Sequence, residues 1–332
     1  MSKYIPPFEI TNKMLQKISD IMEKIGKLDS FSNLDKTPHL RKQTKINSVH
    51  SSVAIENNEL SLEQVQDVIN GKLVIGKQKD IQEVKNAYKA YEMLRDINPY
   101  SIEDLKKVHS VMTFLVEEET GKFRTTHEGV FDENENCIFV CPPGDRVNLL
   151  MNDLFKWLNE NKNQIHPLIL SSVFHYEFVF IHPFTDGNGR MVRLWQNSIL
   201  YKWKNIFEYL PIESKIHKYQ DEYYNSIAQC HKNASSNVFI EFMLKMIDET
   251  LDELISTSNL PLSIETININ KLLNIMKSFE PMTATEIMKK LKIKSKETLR
   301  KQYINPAIKQ GLINLTIKDK PTSKNQMYYK NL

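Results

Sequence analysis

The sequence predicts a mostly α-helical protein: a helical bundle interrupted by one β-hairpin, followed by a small C-terminal domain of three helices and a basic hairpin. Three observations carry this. Apolar residues recur at helical spacing through most of the chain up to Ile255. The stretch Gly121 to Pro143 loses that period and has β-branched and aromatic ends instead. After a linker, Thr257 to Ser263 (T-S-N-L-P-L-S), the charge balance reverses. From Lys271 onward there are 14 Lys/Arg and 4 Asp/Glu, net +10, leaving 30 and 37, net −7, in the body.

The elements follow in order. Thr11 is placed to cap a helix reaching Leu28, with Met14, Ile18, Ile21 and Ile25 as its apolar stripe. Ser30 to Pro38 reads as a polar loop. Leu40 to Asn57 has Ile46, Val49 and Val53 inward and ends in S-S-V-A-I-E-N-N. Ser52 and Glu56, four apart, would share a face there, which by itself describes a solvated helix end. Helices are expected over Ser61–Asn70, Asp80–Asp96 and Ile102–Leu115; His109 in the last is read as a core residue. Val147–Asn159, Leu168–Ile181, Leu194–Trp203, Tyr219–His231 and Val238–Ile255 complete the body. Beyond the linker, Ile269–Phe279, Thr283–Leu291 and Lys296–Gln310 read as helices. Thr283 with Glu286 forms a capping box, and Pro306 interrupts the third. Leu312–Ile317 and Gln326–Tyr329 read as strands. Three helices and a hairpin make a winged-helix pattern, and Lys294, Lys296, Arg300 and Lys301 cluster where its recognition helix falls, suiting phosphate contact; a protein-docking or dimerisation module is the competing reading.

One stretch carries chemistry: Ile181 to Arg193, I-H-P-F-T-D-G-N-G-R-M-V-R. Apolar helical runs flank it, yet its middle cannot be helix. Pro183 disfavours helical geometry at His182, and two glycines follow. His182 therefore ends one helix and Gly189 opens the next. Gly187, Asn188 and Gly189 would place backbone N–H groups at a helix N-terminus, where anions bind. Arg190 and Arg193 supply planar donor forks that fit phosphate oxygens. Asp186 would repel phosphate, so its use is to hold a hard cation such as Mg2+. His182 can take a proton near neutral pH. The set points to phosphate transfer, and there is no G-x-x-x-x-G-K-[ST] loop.

This segment resembles the signature of the Fic family, H-P-F-x-[DE]-G-N-G-R-x-x-R, at every specified position. The resemblance implies transfer of AMP from ATP to a Ser, Thr or Tyr hydroxyl of a protein, the chain itself included. It implies His182 as the base, Asp186 as the Mg2+ ligand, and Gly187, Asn188, Gly189, Arg190 and Arg193 as nucleotide-binding residues. Ser52 to Asn57 is similar to the family's inhibitory pattern [ST]-x-x-x-E-[GN]. On that reading Glu56, with Ser52, occupies Arg193 and keeps ATP in an unproductive pose. Phe123-Arg124, Val130 and Pro142-Pro143 match the surroundings of the family's flap, a strand edge onto which a target segment lays its backbone. Ile138, Phe139 and Val140 on the flap, and Tyr223 and Tyr224, are expected at the nucleotide, with one tyrosine at most stacking on the base. Near His231, family members often carry Asn, a departure in this chain. The C-terminal pattern is similar to a module attached to many bacterial Fic proteins.

The implied division is residues 1–110, N-terminal helices with an inhibitory helix at about 46–57; 111–256, a Fic core with its flap at about 123–143 and its signature at 182–193; and 262–332, a winged helix. Two other readings stay open. One is a hydrolase that removes AMP through the same pocket. The other is a nucleotide-sensing regulator that binds DNA through its basic C-terminal domain. A kinase-like variant carries a lysine at the second glycine, where this chain has Gly189. Three cysteines, Cys137, Cys141 and Cys230, form no even framework, which favours a reducing compartment. The N-terminus lacks a signal-peptide pattern and no apolar run suits a bilayer, so the expectation is a cytoplasmic protein without a membrane partner. A homo-oligomer is left open.

Overall fold

The computed structural model describes residues 4–30, 38–131, 137–258, 264–277, 280–321 and 323–330. Most of the expected Ser30–Pro38 loop, the tip of the hairpin and most of the linker lie outside them. The described residues form two compact units: Gln43–Leu254 with the residues up to Ser30, and Ile255 onward with Pro38–Lys42.

The first unit begins with α1 (Asn12–Ser30), where Thr11 Oγ1 accepts the Met14 amide at 3.2 Å. α2 (Pro38–Ala54) follows, ending three residues short of the expected Asn57. The Asn57 amide bonds Ala54 O and the Asn58 amide bonds Val53 O, with Asn57 at φ 64°. That is a left-handed helix terminator of the kind Asn tolerates, and it turns the chain out at Glu56. α3 (Leu62–Ile69) starts with a Ser61–Gln64 capping box. α4 (Gln78–Glu92) runs into a tight turn, Met93–Arg95, and α5 (Ile102–Met112) follows. The hairpin is β1 (Gly129–Phe131) and β2 (Cys137–Val140), antiparallel with Gly129 opposite Val140.

The centre of this unit is α6 (Gly144–Asn161), α7 (Pro167–Ile181) and α8 (Asn188–Trp203). α7 has no polar stripe because it is buried nearly all round, from Leu168 to Phe178. α8 packs along it, with Met191, Leu194, Trp195 and Ile199 fully buried. A turn, Asn205–Tyr209, leads to α9 (Ile212–Lys218), α10 (Gln220–Asn233) and α11 (Asn237–Ser258). The short α9 is absent from the sequence reading; seven residues give too few turns for a period to show.

The second unit is built from α12 (Ile264–Ile275), β3 (Met282–Thr283), α13 (Ala284–Leu291), α14 (Lys296–Leu299), α15 (Asn305–Lys309), β4 (Ile313–Leu315) and β5 (Met327–Lys330). Its antiparallel sheet has the order β3-β5-β4. Its core includes Ile269, Leu272, Ile287, Leu299, Ile304 and Ile313. The third helix is not cut at Pro306. A wider π turn, Arg300–Ile304, precedes the proline, which then sits in the first turn of α15, where a missing N–H costs nothing. No helix among the described residues is long and apolar enough to cross a membrane.

Candidate active site

The corner between α7 and α8 is held by bonds the flanking sequence dictates. α7 stops at Ile181, and His182 takes a left-handed conformation, φ 50° and ψ 62°, ahead of Pro183. Gly187 also has positive φ, 80°, and caps α8. Between them Asn188 ties the loop to itself: its Oδ1 accepts the Phe184 amide at 2.9 Å and its Nδ2 donates to Phe184 O at 2.6 Å. Phe184 is fully buried and stacks on His109, ring centroids 3.7 Å apart. His109 Nδ1 accepts the Gly121 amide at 2.8 Å, so Nε2 carries the proton and donates to Asp186 O at 3.0 Å. Burial pushes His109 down to about 4, which keeps this neutral form through the physiological range.

The two arginines of α8 meet different carboxylates. Arg193 is buried. Its Nε donates to Ser52 Oγ at 3.1 Å, and its Nη2 donates to Ser52 O and to Glu56 Oε1, both at 2.8 Å. Burial opposes its charge most strongly, but Glu56, joined by Tyr223 and Tyr91, holds the guanidinium above its ordinary value. Arg190, equally buried, lies between Asp186 Oδ2 at 3.1 Å and Glu83 Oε1 at 3.2 Å. Glu83 also accepts the side-chain amide of Asn58 at 3.0 Å, tying the segment after Glu56 to α4.

The place of Glu56 is defined by Gly189 as well as by Arg193. A Cβ built on Gly189 would stand 2.1 Å from Glu56 Oε1. The carboxylate therefore lies directly against the first turn of α8, the anion-attracting end of that helix. The turn that presents it is held from α10, where Gln220 and Tyr224 both donate to Ile55 O at 3.4 Å. On α9, Glu213 accepts Ser48 Oγ at 2.7 Å and fixes the body of α2.

His182 is half-buried. Burial lowers its proton affinity, and the nearby Arg124 lowers it further, against Glu128, Glu56 and Asp186. Asp186 accepts the Gly187 amide on Oδ1 at 2.6 Å. Burial opposes its charge, yet Arg190 and that amide hold it below the usual carboxylate range. An ionised, part-exposed carboxylate at the mouth of a glycine turn fits a hard cation shared with phosphate oxygens.

The flap residues occupy different surroundings. Phe139 on β2 stacks on His231, centroids 4.0 Å apart, and His231 Nδ1 pairs with the Tyr176 hydroxyl at 3.0 Å. Val140 is exposed. Ile138 lies within β2, and its side chain is outside the description. Of the tyrosine pair, Tyr223 is buried with its hydroxyl on His175 Nε2 at 2.9 Å, and Tyr224 is half exposed. Sequence reasoning gave no role to Glu83, whose partner Arg190 lies far along the chain. It placed His109 in the core without its bond to Asp186. A buried acidic position on α4's inner face was the available signal for Glu83.

The Fic/DOC family pattern matches residues 99–200, and the C-terminal domain pattern of Filamentation induced by cAMP protein Fic-like matches 268–329. The chain is 28% identical over 272 residues to the Protein adenylyltransferase Fic of Nematostella vectensis, covering 77% of this chain and 59% of that protein. It is 31% identical over 232 residues to the Protein adenylyltransferase fic-1 of Caenorhabditis elegans, covering 66% and 42%. The chain thus spans about half the length of these curated relatives. A solved Fic family protein from Desulfovibrio desulfuricans G20 is 37% identical, covers 99% of this chain and 98% of its own, and superposes with a TM-score of 0.74. By whole-length likeness to that structure and by the match across α7 and α8, this chain belongs to the Fic family.

Proposed function

We propose that this protein is an adenylyltransferase that moves AMP from ATP to a Ser, Thr or Tyr hydroxyl of a protein, itself included, and that Glu56 restrains it. One observation carries the reading: the Glu56 carboxylate lies against Gly189 at the start of α8 and on the Arg193 guanidinium. It stands in for an anion at a site built for one. An outer phosphate of ATP is the ligand that this combination of helix end and donor fork suits.

In this reading Arg193 and Arg190 bind the outer phosphates, which leave as pyrophosphate. Gly187, Asn188 and Gly189 line the cradle. Asp186 would hold Mg2+, which when bound neutralises charge on the phosphate oxygens. The edge of β2 aligns a target segment by main-chain pairing. His182 accepts the hydroxyl proton as its oxygen attacks the α-phosphorus. Rate enhancement then comes mainly from positioning and charge stabilisation. Phe139, Val140 and Tyr224 bound the space for the base, with Tyr223 behind Tyr224; Ile138 belongs to the same strand.

The second unit reads as a winged helix. Lys294, Lys296, Arg300 and Lys301 are exposed around α14, with β4 and β5 as the wing, and we propose that they contact duplex DNA phosphates.

The test is labelled ATP with magnesium, given to Glu56→Gly protein alone and with cell lysate. Label on protein that disappears in the Glu56→Gly, His182→Ala double variant supports transfer. Absence of label, with release of AMP from a pre-modified target, would replace transferase by hydrolase.

A further inference from the structure

Arg124 lies between the hairpin and the α7–α8 corner, only 1% exposed. Its bonds go to carbonyls at both ends of the flap and at the end of α7. Nη1 donates to Thr126 O at 2.6 Å. Nη2 donates to Pro142 O at 2.8 Å and to Ile181 O at 3.1 Å, and Nε donates to His182 O at 2.6 Å. Its backbone amide donates to Pro183 O at 2.9 Å. One guanidinium thus joins the segment before β1, the segment after β2 and the carbonyl of the proposed base. His182 needs such a tether. A non-glycine residue at φ 50° is disfavoured by roughly 1–2 kcal/mol unless its surroundings impose it.

We propose that Arg124 is a positioning residue that sets the His182 ring at a fixed station relative to the flap, so that one side chain aligns the proton acceptor with the edge that presents the target hydroxyl. This rests on the transferase reading above. The four side-chain bonds are all to neutral oxygens, so no carboxylate is bonded to the guanidinium beside His182, and Glu128 acts on it only through space. The charged groups facing His182 are Arg124 before the flap, Glu128 at the flap's base, Glu56 after α2 and Asp186 on its own loop. Arg124 alone among these four opposes protonation. Lysine would keep the charge but could not reach carbonyls on both flap ends and on α7 together.

The experiment uses full-length Glu56→Gly protein, with Arg124→Lys and Arg124→Gln added singly. With ATP and magnesium, Arg124→Lys is expected to lower kcat on the order of a hundredfold, as a displaced catalytic group does. KM for ATP should change by less than about threefold, since Arg124 takes no part in the phosphate cradle. Independently of activity, NMR titration of the His182 imidazole should move to higher pH in Arg124→Gln. Amide exchange across 125–130 and 137–143 should quicken in both variants. If Arg124→Gln does not fold, the exchange and kinetic arms on Arg124→Lys decide. Unchanged flap exchange together with an unchanged kcat, or an unmoved His182 titration in folded Arg124→Gln, overturns the proposal. Should Glu56→Gly with Arg124 intact transfer no label, the transferase reading fails, while the titration and exchange still judge whether Arg124 positions His182.

Discussion

Removing the Glu56 side chain is the sharpest perturbation of this site. Arg193 Nη2 to Glu56 Oε1 is 2.8 Å, with the arginine side chain 1% exposed and the glutamate 34%. Breaking a fully buried pair costs about 3–5 kcal/mol, but a partner one-third in water contributes less. We therefore assign the contact the range of a charge-assisted hydrogen bond, about 1.5–3 kcal/mol. An incoming phosphate competes with that contact. Its loss in Glu56→Gly should tighten ATP–magnesium binding by roughly 10- to 150-fold. Arg193 keeps its Ser52 oxygens, so the variant should fold, with a lower melting temperature that ATP restores. Calorimetric titration gives the affinity, and initial rates of label transfer give the activity. Equal affinities in parent and variant would refute the reasoning. So would label that rises in Glu56→Gly and survives His182→Ala.

Other expectations come from the same geometry. Gly189→Ala places a methyl where Glu56 Oε1 and the proposed phosphate both need room, so ATP binding should be lost even in the Glu56→Gly background, as calorimetry would show. Asn57→Val strains the left-handed turn that aims Glu56, and should destabilise by about 1–2 kcal/mol while raising label transfer partway toward Glu56→Gly. Glu177, buried against the Tyr4 hydroxyl, is pushed up to about 7 by burial. The folded chain then binds more protons than the unfolded one between about pH 4.5 and 7, so this group's contribution weakens as pH rises through that window. Glu177→Gln should accordingly stabilise the fold at pH 8 by up to about 3 kcal/mol, read as a higher melting temperature, and change it little at pH 4. For the second unit, full-length protein should shift random duplex DNA, and Arg300→Glu should weaken the shift and lower its salt slope by about one or two charges.

How far the sequence could be read depended on the range of each interaction. α7 was legible because fourteen apolar-rich positions in a row leave no polar face, and the corner after it because Pro183 and two glycines forbid helix. The capping boxes at Ser61 and Thr283 are local, and Thr283 with Glu286 was read directly. Less was visible where partners are far apart in sequence. That Glu83 binds both Arg190 and Asn58 depends on α4 meeting α8, which no spacing rule states. Tyr223 and Tyr224 look equivalent in sequence, yet burial sends the first to His175 and leaves the second outside. α2 ends three residues before its apolar period does, because Asn57 supplies a left-handed terminator that helical periodicity ignores. Pro306 reads as a break in the sequence, but the π turn before it lets the chain continue.

The central claim is that the start of α8 and Arg193 form a phosphate site now held by the protein's own carboxylate. A crystal structure of Glu56→Gly protein with ATP and magnesium tests it most directly. The account predicts a phosphate oxygen within hydrogen-bond distance of Arg193, over Gly189, in the volume that Glu56 vacates. Arg193 still closed on Ser52 and another protein group, with nucleotide bound elsewhere or not at all, would contradict it.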